Sequence, residues 1–485
     1  MRNRLSYTFW FTLLVIAGIQ SLRYLPKITV GERTLRKVDL ISAVRSDKPV
    51  ETVASEEVVQ DSLLALAPDT IDVPEEPDHH KRTVFLPEDT AQVDFTRIEE
   101  FLDSMGDGGM RNFYEAMANI ETLGRPVRIA YFGDSFIEGD ILTADLRAML
   151  QQKFGGCGVG YVPVTNKNPH FRPTVTHKFS GWESHIVTDK KGFDSSLQDI
   201  YCRYFFPDGT ETASVTLQGQ RRYASLLDTC ELSRFYFVAP DSTIITARIN
   251  GGEPQRFCVE GDSTMRALTV EGRIGEVTWT VEKADSTARF FAATMDAYDG
   301  IALDNFNIRG SNGTKLANIP MSTLKSYDRL RTYDLVVLQY GLNVASEKSQ
   351  NYTYYTVGMT KVIRHLKNAF PEASILIVGV SDRDKKDEET GEMRTMIGVR
   401  ELMTDQRWLA KESNTAFWNL FEAMGGEGSI REMAEGTPQL ANFDYTHINF
   451  RGGRRLAGIL FKAIVYGCER YKKYADYEEL QDDDI

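Results

Sequence analysis

Compact apolar runs alternate with amphipathic stretches over much of the chain. Residues 127–133 form an apolar run of strand length, and residues 141–154 then have the pattern of a helix. Residues 333–339 and 374–380 are two further apolar strands, with an amphipathic helix predicted between them at 356–369. Strands that alternate with helices indicate a parallel sheet covered by helices on both faces.

The same alternation continues on either side of this region. Toward the C-terminus the pattern predicts a helix at 400–413, a short strand at 415–420 and a final helix at 452–471. Before the first strand, apolar residues at helical spacing predict two short helices, at 94–105 and 110–123.

Residues 172–298 have a different pattern, in which short segments of alternating polarity are separated by turn signals. Examples of these signals are PDG at 207–209 and NGG at 250–252. Helical periodicity is nearly absent, so we predict an all-β module, a sandwich, inserted into the α/β domain. Its aromatic and polar residues would either form a glycan-binding face or only shape the cleft, and the pattern leaves both open.

The N-terminus carries an uncharged, largely apolar run at residues 5–22. Arg2 and Arg4 precede the run and Arg23 closes it, which is typical of an export signal or a signal anchor. No small-x-small cleavage site stands out, so an uncleaved anchor within residues 1–25 is favoured. We therefore expect an exported protein, periplasmic or at the cell surface, that is held to the membrane by this segment.

The remaining segments complete the predicted domain plan. Residues 26–93 are rich in acidic residues and proline, and they are interpreted as a flexible spacer. The α/β domain occupies 94–171 and 299–475, on either side of the insert, and an acidic tail follows at 476–485.

Charge and cysteine content exclude some classes of function. The formal net charge of −13 over 485 residues, without a basic stripe, argues against nucleic acid as a partner. The five cysteines lack CxxC or CxxH spacing, which excludes a recognisable structural zinc site. No pattern indicates an oligomeric state.

A candidate nucleophile lies where the first predicted strand ends. Gly133-Asp134-Ser135 places a serine at the carboxyl end of a strand, the edge of an open α/β sheet where ligands bind. The backbone N–H groups of a following helix would suit a developing oxyanion. Taken alone, a serine that only caps the helix is an equally good explanation.

A candidate base lies immediately before the last helix. Of the seven histidines, His447 stands apart in the sequence FDYTHINFRGG, and Asp444 precedes it by three residues. Residues at this spacing can share a face, so the carboxylate would accept from one imidazole nitrogen while the other faces Ser135. This arrangement provides a nucleophile, a base and a group that orients the base. On its own, a capping aspartate beside a structural histidine explains the pattern better.

Two further positions are candidates for an oxyanion hole. Asn343, in YGLN, follows the strand that ends at Gln339, and Gly310, in IRGS, follows the insert. With the N–H of Ser135, the Asn343 amide and the Gly310 N–H would supply three hydrogen-bond donors. A simple turn role for Asn343 is the alternative.

These blocks, in this order, resemble those of the SGNH (GDSL) hydrolases. The resemblance covers about residues 127–154 and 304–467, and it implies a three-layer α/β/α, flavodoxin-like domain with a parallel sheet, interrupted here by the all-β sandwich. The four positions that name the family correspond to Ser135, Gly310, Asn343 and His447, with Asp444 as the triad acid.

Residues 133–160 are particularly similar to peptidoglycan O-acetylesterases, which also carry a carbohydrate-binding-like β-sandwich between the first two blocks. Phe136 and Val344 depart from the family pattern, where a histidine and an acidic residue often stand. Neither departure removes a catalytic group.

The resemblance implies a serine esterase that removes small acyl groups, such as acetyl, from a cell-envelope or other glycan. Its partner would be an acylated glycan, and no metal or organic cofactor is expected. An O-acetyltransferase using the same residues is one alternative, since water and a sugar hydroxyl compete for the same acyl-enzyme. A non-catalytic envelope protein that binds glycan through its insert is the other.

Overall fold

The structure is a computed structural model, which describes residues 29–30, 33–34, 91–103, 106–189, 191–209, 212–349, 351–387 and 389–482. The chain divides into two units, Met1–Lys81 and Arg82–Ile485. In the first unit, β1 (Thr29–Val30) pairs antiparallel with β2 (Arg33–Thr34). The predicted membrane segment at 1–25 and most of the predicted spacer lie outside the described residues. Within the described part of the chain, no helix is both long and apolar enough to cross a membrane.

The second unit contains the other strands and helices that the structure describes. Its strands are, in chain order, β3 (Ile98–Glu100), β4 (Val127–Gly133), β5 (Gly160–Pro163), β6 (Val175–Ser180), β7 (Trp182–Ile186), β8 (Arg203–Pro207), β9 (Ala213–Gly219), β10 (Cys230–Ala239), β11 (Thr243–Ile249), β12 (Gln255–Val259), β13 (Asp262–Ile274), β14 (Glu276–Lys283), β15 (Arg289–Met295), β16 (Ile301–Asn307), β17 (Leu335–Gln339), β18 (Ser374–Val378), β19 (Asp384–Lys386), β20 (Met393–Thr395) and β21 (Ala416–Trp418).

The helices of this unit are α1 (Arg111–Ala118), α2 (Thr143–Phe154), α3 (Met321–Arg331), α4 (Thr353–Ala369), α5 (Gly398–Glu412), α6 (Leu420–Met424), α7 (Ser429–Glu435) and α8 (Phe450–Asp482). Short 3-10 turns occur at Ser135–Asp140, Pro169–Phe171, Ser225–Leu227 and Thr314–Asn318.

A mostly parallel sheet forms the centre of the unit, in the order β16-β4-β17-β18-β21-β3. Its strands are parallel except β3, which pairs antiparallel with β21 at one edge. Gly133 at the end of β4 pairs with Asn307 on one side and with Gln339 on the other. The segments that follow these three strands therefore begin side by side at the carboxyl edge of the sheet.

Apolar side chains cover both faces of this sheet. Val127, Ile129 and Tyr131 of β4 pack in one cluster with side chains of α1, α2 and α8. Ala130 and Phe132, which point the other way, pack in a second cluster with side chains of α3, α4 and α5. The alternation in β4 thus buries every residue of the strand against one layer of helices or the other.

The inserted module consists of two antiparallel sheets. One has the order β13-β10-β15-β8-β7, with β5 also paired to β15, and the other has the order β12-β11-β14-β9-β6. A separate apolar cluster fills the module, and in it the fully buried Trp279 stacks on Phe235 with ring centroids 5.3 Å apart. Neither sheet shares a described strand with the parallel sheet.

The sheet that contains β5 begins before residue 172, the predicted start of the insert. Gly160 of β5 pairs with Met295 of β15, so the first and last strands of the module are neighbours. The carbonyl of Gly155, just after α2, accepts from the N–H of Ile301 at 3.0 Å. The alternation in β5 covers only four residues, which is too short to assign this strand to the insert from sequence.

Two other predicted elements differ from the structure. A helix was predicted at 94–105, but the described residues 94–103 do not form one and contain the edge strand β3. Ile98 and Phe101 are three residues apart, which is one face of a helix but opposite faces of a strand, and they pack in different clusters. The last helix is longer than predicted, because α8 continues to Asp482 within the predicted acidic tail.

A buried ion cluster joins the module to the parallel sheet. Arg331 is fully buried and donates to both carboxylate oxygens of Asp296, at 2.6 and 2.9 Å. It also donates to both oxygens of Asp304, at 2.6 and 2.7 Å. Asp296 directly follows β15 and Asp304 lies in β16, so one guanidinium connects the two parts of the structure.

A second buried cluster, centred on Asp140, connects the segment after β4 with the start of the insert. The Asp140 carboxylate has no exposed surface. It accepts hydrogen bonds from Arg147 Nη1 at 3.0 Å, Arg172 Nε at 2.8 Å, Thr174 Oγ1 at 2.7 Å, Asn305 Nδ2 at 2.9 Å and Thr143 Oγ1 at 3.0 Å. Its donors therefore come from α2, β16 and the segment that leads into β6.

We expect Arg331→Met to destabilise the protein by about 3–5 kcal/mol, because it leaves two buried carboxylates without a counter-charge. The free energy of unfolding in urea, followed for the full chain, measures this effect. Lys325→Met, an exposed position on the same helix, is the matched control and should change it by less than about 0.5 kcal/mol. If both substitutions have equal, small effects on the free energy of unfolding, the Arg331 ion cluster does not stabilise the connection between the module and the sheet.

The Asp140 cluster gives a pH-dependent prediction. Burial raises the pKa of Asp140, but the charges of Arg147 and Arg172 outweigh it and hold the pKa below its ordinary value. A carboxylate of this kind stabilises the fold above its unfolded-state pKa of about 3.9, and the contribution is lost as the pH falls further.

The loss of stability in Asp140→Asn should therefore be large at pH 7, about 3–5 kcal/mol, and should shrink below about pH 4. Denaturant unfolding curves at several pH values measure it. The exposed Asp241→Asn serves as the control and should show little change at any pH. If the difference in the free energy of unfolding between wild type and Asp140→Asn grows as the pH is lowered, the prediction is contradicted.

Candidate active site

The candidate nucleophile opens a short turn, and the helix that the sequence predicted at 141–154 follows this turn. Ser135 is the first residue of the 3-10 turn Ser135–Asp140, and α2 begins only at Thr143. The side chain of Asp134 caps the turn by accepting from the N–H of Phe136 at 3.0 Å. The cap is thus Asp134, which leaves the Ser135 hydroxyl available for another partner.

That partner is His447, as the sequence predicted. Ser135 Oγ lies 2.9 Å from His447 Nε2, and His447 Nδ1 lies 2.8 Å from Asp444 Oδ2. Both distances are those of hydrogen bonds. The structure therefore connects Ser135, His447 and Asp444 in one continuous chain of polar contacts, although 312 positions separate the serine from the histidine.

Local turn geometry holds the acid and the base in register. Asp444 Oδ1 accepts from the N–H groups of Thr446 and His447, both at 3.0 Å, which leaves Oδ2 for the imidazole. Tyr445 between them has a positive φ of 50°, and the N–H of Asn442 donates to the carbonyl of His447 at 2.8 Å. This is the turn chemistry that aspartate favours, and here it also aligns the carboxylate with the ring.

The same contacts decide the charge on Asp444. Partial burial raises the pKa of Asp444, but the hydrogen bonds from the backbone and ring of His447 and from the Thr446 N–H outweigh it, so that the pKa lies below its ordinary value. The carboxylate is therefore ionised at neutral pH. An ionised acceptor at Nδ1 places the ring proton on that nitrogen and leaves Nε2 free to accept a proton.

Asn343 lies between the segments that follow β4 and β16. Its Nδ2 donates to the carbonyl of Ser311 at 2.9 Å and lies 3.4 Å from Asp134 Oδ2. The side chain is exposed, and Ser311 is the neighbour of Gly310 in the chain. Asn343 is thereby adjacent both to the segment of Ser135 and to that of Gly310.

Gly310 has a positive φ of 77°, a conformation that favours glycine. A Cβ added at this position would meet no atom within 4 Å. The glycine is therefore required by its backbone conformation, while the space beside it is open.

Asp134 is a further member of the site, which the sequence motifs did not indicate. Burial raises the pKa of Asp134 to about 6, although N–H groups of Phe136, Leu342 and Gly341 and the charge of His447 act in the opposite direction. Its carboxylate thus bridges the Ser135 turn and the loop of Asn343. Its position directly before the serine was the available signal, but sequence alone does not show which strands end beside each other.

A cleft opens beside the Ser135 turn. Its volume is about 280 Å³, near the lower end of the range for ligand pockets. One wall consists of Glu138, Gly139 and Asp140, and another of Ile308 and Arg309, just before Gly310. Asn305 and Asn307 of β16 also line the cleft. The remaining lining comes from residues 163–203, which include the first strands of the insert, so the module helps to form the cleft.

No protein-family model and no curated protein sequence matches the chain. Among solved structures, a peptidoglycan O-acetylesterase aligns with a TM-score of 0.61 and 20% sequence identity, covering 77% of this chain and 99% of the other. A family two carbohydrate esterase from Clostridium thermocellum, in complex with cellohexaose, aligns with a TM-score of 0.25 at 12% identity, covering 54% and 94%. A putative GDSL-like lipase from Parabacteroides merdae aligns with a TM-score of 0.24 at 15% identity, covering 34% and 72%.

Of these three alignments, the first carries the structural comparison, because its TM-score is 0.61 and those of the other two are 0.25 and 0.24. At this level of identity it shows the fold: a mixed α/β domain with a parallel sheet, combined with antiparallel sheets of a β insert. The predicted resemblance is confirmed, and the chain resembles the SGNH (GDSL) hydrolases, among them a peptidoglycan O-acetylesterase, in its fold as well as in its sequence blocks.

Proposed function

We propose that this protein is a serine esterase that removes acetyl groups from a glycan by a Ser-His-Asp mechanism. The observation that carries the proposal is the continuous set of contacts from Ser135 through His447 to Asp444. It lies at the carboxyl edge of the parallel sheet, where ligands bind in folds of this kind, and the wall of a cleft begins at Glu138, three residues after Ser135.

The reaction begins with proton transfer from Ser135 Oγ to His447 Nε2 as the serine oxygen attacks the carbonyl carbon of the acetyl ester. The tetrahedral intermediate collapses when His447 returns that proton to the leaving sugar oxygen, which forms an acetyl-serine and a free hydroxyl. Water, deprotonated by His447, then attacks the acetyl carbon. Acetate leaves, and Ser135 regains its proton.

Asp444 orients the imidazole and stabilises the imidazolium that forms in each step. This role requires an ionised carboxylate, and the lowered pKa of Asp444 supports it. The two backbone N–H groups that hold Oδ1 prevent the carboxylate from rotating away from the ring.

The oxyanion would be held by the backbone N–H groups of Ser135 and Gly310 and by the amide of Asn343. The Asn343 contact to Asp134 Oδ2 is long, at 3.4 Å, while the contact to Ser311 O is 2.9 Å. The N–H directed at Asp134 is thus weakly used and is the donor we assign to the oxyanion, while the other N–H keeps the side chain in place.

The wider assignment rests on sequence and on the structural neighbour. The two apolar clusters on either side of the sheet support the three-layer α/β/α arrangement of the SGNH domain. The alignment to a peptidoglycan O-acetylesterase supports an O-acetylated cell-envelope glycan as the substrate. The apolar segment at 5–22 supports export and attachment to a membrane.

Ser135→Ala and His447→Ala should each lower acetate release by at least about 10³-fold, since each removes a group that takes part in bond making. Acetate released from O-acetylated peptidoglycan and from 4-nitrophenyl acetate measures the rate. The exposed Ser322→Ala is the matched control and should retain the wild-type rate. Wild-type rates in both site variants would refute the mechanism, and acetylated sugar formed in place of acetate would identify a transferase.

Asn343→Ala should lower kcat by about 10²- to 10³-fold with a smaller change in KM, because an oxyanion donor acts mainly in the transition state. Steady-state kinetics on 4-nitrophenyl acetate separate the two constants. Asn119→Ala, at an exposed position on another part of the domain, provides the control. If Asn343→Ala raises KM and leaves kcat unchanged, Asn343 binds the ground state and is not an oxyanion donor.

A further inference from the structure

The cleft beside the Ser135 turn contains one buried arginine that makes no direct ion pair within the described part of the chain. Six charged residues line the cleft, and two of its four cations are paired within it, because Arg172 contacts Asp140 at 2.8 Å and Arg309 contacts Glu138 at 2.7 Å. A third, Lys167, is largely exposed and lies 3.5 Å from Asp189. The fourth is Arg203.

Arg203 is buried, with 7% of its surface exposed. Within the described part of the chain, no carboxylate lies within 4.0 Å of its guanidinium nitrogens, and no hydrogen bond engages Nη1 or Nη2. Asp199 accepts from the backbone N–H of Arg203 at 2.9 Å, and its other contacts are the N–H of Tyr201 and the hydroxyl of Tyr161. Burial raises the pKa of Asp199, and the charge of Arg203 has a smaller, opposite effect on that carboxyl without a direct contact between their charged atoms. Two outer nitrogens of a buried guanidinium without a hydrogen-bond partner are unusual, and their position in the cleft points to a ligand.

The orientation of the guanidinium is fixed by Tyr201. Nε donates to the carbonyl of Tyr201 at 3.3 Å, and the Arg203 Cζ atom lies 3.5 Å from the centroid of the Tyr201 ring. The Tyr201 hydroxyl in turn donates to Asn307 Oδ1 at 3.0 Å, at the end of β16. One face and one edge of the planar group are therefore occupied, and its two outer nitrogens remain for a partner in the cleft.

We propose that Arg203 binds a carboxylate on the substrate, so that the esterase acts on an acetylated sugar that is itself acidic. Two parallel N–H donors at fixed spacing match the two oxygens of a carboxylate. The cleft shares its wall of Glu138–Asp140 with the Ser135 turn, so a carboxylate held by Arg203 would lie in the cleft beside that turn. This inference rests on the proposed function, since it names the substrate class of the same site.

Binding to an inactive protein tests the inference without relying on catalysis. Calorimetric titration of the full chain carrying Ser135→Ala would use glucuronate, galacturonate and N-acetylmuramate, each beside its neutral partner glucose, galactose or N-acetylglucosamine. At least one acidic sugar should bind about 10- to 100-fold more tightly than its partner, as expected for hydrogen bonds to a charged group. Adding Arg203→Gln should abolish this preference.

Two further variants control for folding and for the general positive field. Arg309→Gln removes a cation of the same cleft that Glu138 already neutralises, so it should preserve the preference for the acidic sugar. Arg203→Lys keeps the charge but lacks the paired donors, and it should retain only part of the preference. If thermal unfolding shows that the Arg203→Gln protein is not folded, Arg203→Lys is compared with Arg309→Gln in its place.

Equal binding of acidic and neutral sugars by the Ser135→Ala protein would overturn the inference, as would an equal loss of preference in Arg309→Gln and Arg203→Gln. Failure of the proposed function is seen separately, as wild-type protein that releases no acetate from any ester. If the acidic sugar binds selectively through Arg203 but the wild-type protein has no esterase activity, the carboxylate site is supported and the esterase is rejected.

Discussion

The carboxylate of Asp140 is shared by two buried arginines, one in α2 and one at the entrance to the β module. It ends the turn that Ser135 begins, so the conformation of that turn depends on a charge balance that extends well beyond it. Asp140 itself has a positive φ of 68°, which few residues adopt without support. The surrounding donors supply that support and thereby hold the nucleophile at a fixed distance from His447.

This constraint makes the β module a structural part of the site. Arg172 lies at the module's entrance and contacts Asp140, whereas Asp296 lies at its exit and contacts Arg331. Both links are buried ion pairs. Removing one partner of such a pair costs far more stability than replacing the whole pair by apolar side chains. The position of the module relative to the Ser135 turn is therefore set by charge as well as by apolar packing.

The sequence was sufficient to predict the site residues that lie within short motifs. The spacing of Asp444 and His447 and the strand before Ser135 predicted contacts that span the chain, because the carboxyl ends of parallel strands meet at one edge. It was insufficient for β3, whose apolar residues fit a helix as well as an edge strand. It also gave no sign of Arg203, since neither the burial of an arginine nor its ion-pair partners are visible in a linear pattern.

The contact between Gly155 and Ile301 has a consequence for how such a protein can evolve. These residues end α2 and begin β16, and their direct backbone hydrogen bond means that the chain leaves the α/β domain and returns to it at nearly one point. A domain with this topology can gain, exchange or lose the entire module through a short splice, without altering the path of its sheet. What such an exchange must preserve is a cation for Asp140 and an anion for Arg331, so compatibility between modules is a matter of two buried charges.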